Sequence, residues 1–412
     1  MEEALIVSVG GSPEPIERSI DHVEPNFVCF YCSQNSVEKV GEIKAELDHG
    51  DFEDVKVLVE DPEDLDHCYQ KAGKCIERLA EKNLYPKDAV VDYTGGTKAM
   101  SSALVAATLG EGFRYLYVGG KKRNKGGLGY VEDGTEEILS TRSPWKIHAL
   151  ESKKKIQRDF NSYRFESVVD QIESLERKGL RSEKDEYLLD AVKFLAGGYS
   201  LWDRFNYEEV KDKLKQGKEK LGTYQDLTDS SVDLSFTLEK VKENIDFLSD
   251  LQAETAGYNF EELIGRTLPL DMFWNASRRA EEGKYDDAIV RLYRTVEMFG
   301  QVEMFDELGC HTDEVPLDRI PDDFRDRADG NGEVKLGLNA TFRVLNKLDN
   351  EVGENYLRRK EDFSNIMVTR NHSFLTHNFE ALKEKQYESH REPIKDIFEI
   401  RRRVEFPKLE IV

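Results

Sequence analysis

Apolar residues form five short runs in the first 120 positions, and polar turns or helix-like stretches separate them. We predict that these runs are strands at Leu5–Val9, Phe27–Cys32, Val55–Val59, Ala89–Val91 and Phe113–Val118. Helical periodicity or composition between them predicts helices at Ile16–His22, Val37–Leu47 and about Pro62–Lys82, with a fourth beginning near residue 98. Strands alternating with helices of this length predict an α/β fold, in which a parallel sheet carries helices on both faces.

Beyond residue 150 the pattern is amphipathic and helical, with Lys and Glu on the polar faces. The predicted helices are Glu151–Glu176, Glu183–Ala196, Tyr207–Leu221, Leu234–Glu254, Leu270–Glu282 and Tyr285–Phe299, with others near Lys335 and from Asp362. Residues 306–335 are rich in Pro, Gly, Asp and Asn, so we expect a long loop or lid there. The second half is therefore predicted to be all-α.

Composition narrows the class of protein. The 412-residue chain has a formal net charge of -23, which argues against broad nonspecific binding to duplex nucleic acid but leaves room for a local basic cleft. No apolar run is long enough to span a membrane. An acidic start that leads directly into a strand predicts no signal peptide. Five cysteines, an odd number, are typical of the reducing cytoplasm, where we expect the protein to reside.

Two of the cysteines form a Cys-x-x-Cys pattern. Cys29 and Cys32 both lie within the apolar run Phe27–Cys32, and no second pair follows at the spacing of a zinc site. Because a buried free cysteine behaves as a small hydrophobic residue, we predict that both pack in the core and bind no metal.

Glycine loops follow the first and fourth predicted strands. Open α/β sheets bind ligands beyond the carboxyl ends of their strands. The second loop also leads into a helix, whose first N–H groups and partial positive charge suit a phosphate. A well-capped turn without a ligand is the alternative for this loop alone. We predict a nucleotide-type ligand held by Gly10, Gly11, Ser12, Thr94, Gly95, Gly96, Thr97 and Lys98.

A basic cluster stands out after the fifth strand. Residues 121–127 read Lys-Lys-Arg-Asn-Lys-Gly-Gly, and Leu128–Val131 follows. This is typical of a hairpin tip that finishes the sheet, and it either forms a solvated turn or contacts a ligand or RNA. Pro144-Trp145 is predicted to close the domain near residue 148.

The second chemically informative stretch is Arg370-Asn371-His372-Ser373-Phe374-Leu375-Thr376-His377. Seven residues are close to two helical turns, so Arg370 and His377 are predicted to share a helix face. A histidine for proton transfer and an arginine for phosphorane charge suit RNA cleavage by the 2′-hydroxyl. A surface arginine and a structural histidine are the alternative.

These motifs resemble two known domains. The N-terminal half resembles a CARF domain, the Rossmann-like CRISPR sensor of cyclic oligoadenylates, in Gly10–Pro13 and Asp92–Met100. The C-terminal half resembles a HEPN ribonuclease domain in Arg278-Arg279, Tyr285–Ala288, Arg291–Arg294, Glu297, Arg370-Asn371 and His377. The resemblance covers about residues 1–145 and 265–385. Together the halves resemble the CARF–HEPN effector ribonucleases of type III CRISPR systems.

The resemblance implies a domain order and an activity. The implied domains are a CARF sensor at 1–148, a helical connecting region at 149–262 and a HEPN ribonuclease at 263–412. It also implies a homodimer that binds one cyclic tetra- or hexa-adenylate as activator and cleaves single-stranded RNA, leaving 2′,3′-cyclic phosphate. No metal or other cofactor is required. The implied catalytic residues are Arg370, Asn371 and His377.

Several points stay open at the level of the sequence. The family pattern places four to six residues between the arginine and the histidine, and six intervene here, so the role of His372 is undecided. Glu297 either orients Arg370 or forms a plain salt bridge between helices. Two other functions are alternatives: a non-catalytic CARF sensor that recruits a partner, and a ring nuclease that degrades the cyclic oligoadenylate.

Overall fold

The computed structural model describes residues 3–47, 52–120, 136–141, 145–178, 183–228, 233–255, 265–327, 332–371 and 381–411. The chain divides into two compact units. The first contains residues 1–155 and 171–182, and the second contains residues 156–170 and 183–412. The domain limits expected from the resemblance stay a prediction.

The first unit is built on a six-stranded sheet. Its strands are β1 (Ala4–Ser8), β2 (Phe27–Ser33), β3 (Glu53–Val59), β4 (Ala89–Asp92), β5 (Arg114–Gly120) and β6 (Glu136–Thr141). They lie in the order β3-β2-β1-β4-β5-β6. The first five are parallel and β6 is antiparallel to β5. This confirms the predicted parallel, Rossmann-like sheet.

Helices cover both faces of that sheet, as predicted. They are α1 (Glu14–Val23), α2 (Lys39–Glu46), α3 (Leu65–Glu81) and α4 (Lys98–Thr108). One apolar cluster joins the sheet to α3 and α4, and another joins it to α1 and α2. Both faces are buried, which explains why the central strands read as continuous apolar runs rather than as alternating ones.

The two neighbouring cysteines lie on opposite faces of β2. Cys29 belongs to the cluster under α3 and α4, and Cys32 belongs to the cluster under α1 and α2. Both are fully buried, and burial raises the pKa of Cys32 to about 11. Side chains on opposite faces of a strand point away from each other, so the two thiols cannot ligate the same ion. The placement in the core agrees with the sequence-based prediction.

The sheet ends with β6 at Glu136–Thr141, which returns antiparallel beside β5. The basic cluster and Leu128–Val131 lie outside the described residues. A helix begins at Trp145, close to the predicted end of the domain.

In the described residues after β6, the chain is mainly α-helical, with one small two-stranded sheet. Its helices are α5 (Trp145–Asn161), α6 (Phe165–Arg177), α7 (Glu183–Asp203), α8 (Val210–Leu227), α9 (Ser235–Glu254), α10 (Thr267–Glu281), α11 (Tyr285–Leu308), α12 (Leu338–Lys347), α13 (Glu351–Arg358), α14 (Lys360–Asn371) and α15 (Glu384–Ile397). Helices α5 and α6 each have residues in both units. None of the described helices combines the length and the hydropathy needed to cross a membrane.

The prediction of one helix over Glu151–Glu176 is wrong, because the chain breaks between α5 and α6. Tyr163 adopts a left-handed conformation with φ of 60°, which no helix interior accommodates. The side chain of Asn161 exchanges two hydrogen bonds with the backbone of Leu409, at 2.9 and 2.7 Å. A distant segment of the chain therefore holds the end of α5, and helical periodicity carries no signal of it.

Helix α7 continues seven residues beyond its predicted end because its glycines serve helix packing. A Cβ atom on Gly198 would lie 2.9 Å from Leu214 of α8, and one on Gly217 would lie 2.7 Å from Leu195 of α7. The two helices approach too closely for larger residues at these positions. Gly197-Gly198 is thus a contact point between helices and not a helix end.

The segment predicted as a loop or lid is partly anchored in the second unit. Helix α11 extends to Leu308, and β7 (Val315–Pro316) pairs antiparallel with β8 (Glu333–Val334). The side chains of Val315, Phe324 and Val334 are buried. These anchors make much of the described segment a packed part of the fold.

Candidate functional site

The two glycine loops touch at the carboxyl ends of adjacent strands. Strands β1 and β4 pair in parallel, with Val7 opposite Asp92. A Cβ atom on Gly95 would lie 2.3 Å from the carbonyl oxygen of Ser8 and 2.7 Å from the amide of Gly10. The chain passes so closely here that residue 95 must be glycine. The structure thus brings together the two loops that the sequence singled out.

Asp92 lies beneath this meeting point and is fully buried. Its Oδ1 accepts hydrogen bonds from the amide, at 2.8 Å, and the hydroxyl of Thr94. Its Oδ2 lies 2.6 Å from the hydroxyl of Ser19 on α1. Burial raises the pKa of Asp92, and the hydrogen bonds with Ser19 and Thr94 oppose that rise. Sequence reasoning missed this role, although an aspartate between an apolar strand and a turn was a usable signal.

The two threonines do not present free hydroxyls as expected. The Thr94 hydroxyl donates to Asp92 and accepts from the amide of Val118 on β5, at 2.8 Å. The Thr97 hydroxyl donates to the carbonyl of Pro62 and caps α4 by accepting from the amide of Met100. Their side chains hold the loop in shape. Ser12 and Lys98 are exposed at the same edge.

The second candidate site begins with Arg370 at the end of α14. This helix packs against α11, and the Arg370 guanidinium lies 5.1 Å from the centre of the Tyr293 ring. A guanidinium over a ring face is held electrostatically and by its apolar stem. Burial raises the pKa of Tyr293, Glu297 adds to the rise, and Arg370 opposes it. The Tyr293 ring therefore fixes the position of the predicted catalytic arginine through this cation–π contact.

Other residues of this predicted site fall outside the described part of the chain. Residues 372–380, with His372 and His377, are not described, and only the backbone of Asn371 is. The catalytic set of Arg370, Asn371 and His377 thus stays a prediction. For Glu297, the structure gives an ion pair of 3.2 Å with Arg294 of its own helix.

Two contacts of residues that flank 372–380 in the sequence were not anticipated. His390 is buried on α15, and its Nε2 lies 3.0 Å from the hydroxyl of Thr369, the residue before Arg370. The carboxylate of Asp286 at the start of α11 accepts from the amide of Leu382, at 3.0 Å. These bonds tie both ends of the chain around residues 372–380 to neighbouring helices.

The arginine pair at 278 and 279 belongs to a buried charge network. Arg278 donates to Asp203 of α7 at 3.1 Å and to Asp271 of its own helix at 3.5 Å. Asp271 also accepts from Trp202 at 2.9 Å and Tyr207 at 2.6 Å. Burial raises the pKa of Asp271 and lowers that of Arg278, and the ion pair opposes both shifts. The network joins α7 to α10.

Comparison with protein families gives two matches in the helical part. A model of the Csm6 6H domain matches residues 148–248, and a model of the Csm6 HEPN domain matches residues 259–401. Together they span more than half of the chain, and the second span includes Arg370. Among curated proteins, no relative matches the chain.

Two of the matching solved structures are distant likenesses of this chain. One is a type III CRISPR defence DNA nuclease activated by cyclic oligoadenylate, with 15% identity, a TM-score of 0.26, and coverage of 62% of this chain and 35% of the other. Another is Can2 from Sulfobacillus thermosulfidooxidans in complex with cyclic tetra-adenylate, with 15% identity, a TM-score of 0.26, and coverage of 52% and 69%. This chain spans about a third of the first structure's length. Neither likeness is close enough to argue from.

Proposed function

The chain belongs to the Csm6 family, and from that premise we propose that it is a metal-independent endoribonuclease of type III CRISPR defence, activated by a cyclic oligoadenylate. The observation that carries the proposal is the HEPN match over residues 259–401, because the Arg370-Asn371 and His377 motif lies within it. The cation–π contact between Arg370 and Tyr293 supports the proposal, because it holds the arginine in a defined position.

The proposed reaction is cleavage of single-stranded RNA by its own 2′-hydroxyl. That oxygen attacks the adjacent phosphorus, the P–O5′ bond breaks, and the products carry a 2′,3′-cyclic phosphate and a 5′-hydroxyl. Attacking and leaving oxygens both belong to the substrate, so the protein needs only to move protons and stabilise charge. His377 transfers a proton, and Arg370 stabilises the negative charge of the phosphorane.

The proposed activator site is the edge where the glycine loops meet. The capped N-terminus of α4 offers backbone N–H groups and a partial positive charge, and exposed Lys98 adds a full charge. Gly11, where a Cβ atom would meet nothing within 4 Å, leaves room for a phosphate at the backbone, and Gly10, Gly95 and Gly96 let the two loops form this edge. Thr94 and Thr97 act on the ligand through the shape of the loop that their hydroxyls maintain.

The proposed active form is a cytoplasmic homodimer. Each chain supplies only one Arg370 and one His377, which is few groups for a catalytic site. A second copy across a two-fold axis doubles the positive charge at the scissile phosphate. The cyclic ligand can activate this site only if it binds the active arrangement of the dimer more tightly than the inactive one.

A titration of cyclic tetra-adenylate and cyclic hexa-adenylate against cleavage of a fluorogenic single-stranded RNA tests the proposal. We expect cleavage that depends on one of the two ligands, persists in EDTA and leaves 2′,3′-cyclic phosphate ends. Binding of a ligand without RNA cleavage would favour the non-catalytic sensor. Disappearance of the ligand from the mixture would favour the ring nuclease.

A further inference from the structure

The hydroxyl of Ser19 lies within hydrogen-bonding distance of two oxygen atoms, but it has only one proton to donate. That hydroxyl lies 2.9 Å from the carbonyl of Pro15 and 2.6 Å from Oδ2 of Asp92. A serine hydroxyl carries one proton and donates once. Both contacts are full two-centre hydrogen bonds only if Oδ2 of Asp92 carries a proton and donates it to Ser19, which then donates to Pro15.

The other carboxyl oxygen needs no such proton. Oδ1 accepts from the amide and the hydroxyl of Thr94, and the Thr94 hydroxyl in turn accepts from Val118. One proton on Oδ2 therefore gives every hydroxyl in this group one donor bond and one acceptor bond. If Asp92 were ionised, the Ser19 hydroxyl could donate its proton to only one of the two acceptors, Oδ2 of Asp92 or the carbonyl of Pro15.

The surroundings also disfavour a charge on Asp92. The side chain is fully buried, and no ion pair reaches it within the described parts of the chain. A buried carboxylate without a cation is costly, and such groups usually take up a proton instead. The raised pKa of Asp92, caused by burial, agrees with this argument.

We propose that Asp92 is protonated in the folded protein and is a positioning residue, a neutral clamp that holds the two glycine loops together. It binds Thr94 in the loop that follows β4, and through Thr94 it reaches Val118 of β5. It also binds Ser19 of α1, the helix that follows the loop containing Gly10 and Gly11. A neutral clamp sets both loops without placing a negative charge beneath an anionic ligand. The functional part of this inference rests on the proposed activator site.

Three variants test the clamp. Asp92→Asn replaces the protonated acid with an amide that can donate to Ser19 and accept from Thr94. Asp92→Ala removes all three of these side-chain hydrogen bonds, two with Thr94 and one with Ser19. Asp21→Asn makes the same chemical change at an exposed position of α1 and serves as the control. Calorimetry with cyclic tetra-adenylate and cyclic hexa-adenylate should give Asp92→Asn an affinity within about twofold of wild type. Asp92→Ala should bind at least about tenfold more weakly, because a buried bonding group is lost.

Infrared spectroscopy of the unliganded protein gives a second readout that does not depend on the ligand. The difference spectrum of wild type minus Asp92→Asn at neutral pH should contain the carbonyl band of a protonated carboxylic acid. The Asp21→Asn difference should lack that band. A carboxylate band for Asp92, or an Asp92→Asn variant that binds as poorly as Asp92→Ala, would overturn the inference. If wild type binds neither ligand, the activator proposal fails, while the infrared result still decides the protonation of Asp92.

Discussion

Gly95 has no room for a side chain where the two glycine loops meet. The atoms that a Cβ there would meet, the Ser8 carbonyl and the Gly10 amide, belong to the backbone and cannot move aside, whereas a Cβ on Gly11 would meet nothing within 4 Å. We expect Gly95→Ala to lower the free energy of unfolding by about 1–3 kcal/mol, the range for overpacking, and Gly11→Ala to change it little. Chemical denaturation of the two variants measures this. Equal effects would mean that the loops do not touch.

Lys98 is an exposed cation at the same edge. A charge-assisted bond to a phosphate is shorter and stronger than a neutral one, so Lys98→Ala should weaken binding of the cyclic oligoadenylate by about 1–3 kcal/mol. Lys87→Ala removes an equally exposed lysine elsewhere in the first unit and should leave binding unchanged. Calorimetry on both variants makes the comparison. Undiminished affinity in Lys98→Ala would place the activator site elsewhere.

At the level of elements, local patterns predicted most of what local forces determine. The apolar runs became β1 to β5 because both faces of a parallel sheet are buried. The break at Tyr163 and the continuation of α7 through Gly197-Gly198 escaped prediction for one shared reason. Each depends on a partner far away in the chain, the backbone of Leu409 in one case and Leu214 of α8 in the other.

In the candidate site, too, features that depend on local sequence were predictable, and features that depend on contacts with other parts of the chain were not. Glycine loops at strand ends were predictable because turn chemistry is local. The hydrogen-bond partners of the two threonine hydroxyls were not predictable, because Thr94 bonds to Val118 and Thr97 bonds to Pro62, and neither partner is a sequence neighbour. Likewise, the sequence motif identified Arg370 as a candidate, but its contact with Tyr293 depends on how α14 packs against α11.

The joint between α7 and α10 depends on Arg278. Removing it would leave the fully buried Asp271 without the cation that it pairs with, whereas Asp203 would keep its ion pair with Arg279. We expect Arg278→Met to lower the free energy of unfolding by about 3–5 kcal/mol, the usual cost of breaking a buried ion pair from one side. Arg358→Met, which disrupts an exposed pair with Glu354, should have little effect. Similar denaturation midpoints for the two variants would show that the network adds nothing to stability.

In the proposed function, a ligand-binding edge in the first unit controls an RNA-cleaving site in the second. Ligand binding would then have to change the balance between two arrangements of the proposed dimer, and that balance would set the cleavage rate. A variant impaired only in cleavage should therefore still bind the activator with wild-type affinity. This separates damage to the catalytic site from damage to the sensor.

The most direct measurement is ligand-activated cleavage of a fluorogenic RNA by wild type and the variants His377→Ala, Arg370→Ala and His372→Ala, each with and without EDTA. We expect EDTA to leave wild-type activity intact. We also expect His377→Ala to lose about a hundredfold or more of that activity, the scale of a proton-transfer residue, while it binds the activator normally. Arg370→Ala should fall similarly and His372→Ala less. Activity abolished by EDTA, or full activity in His377→Ala, would contradict the proposed mechanism.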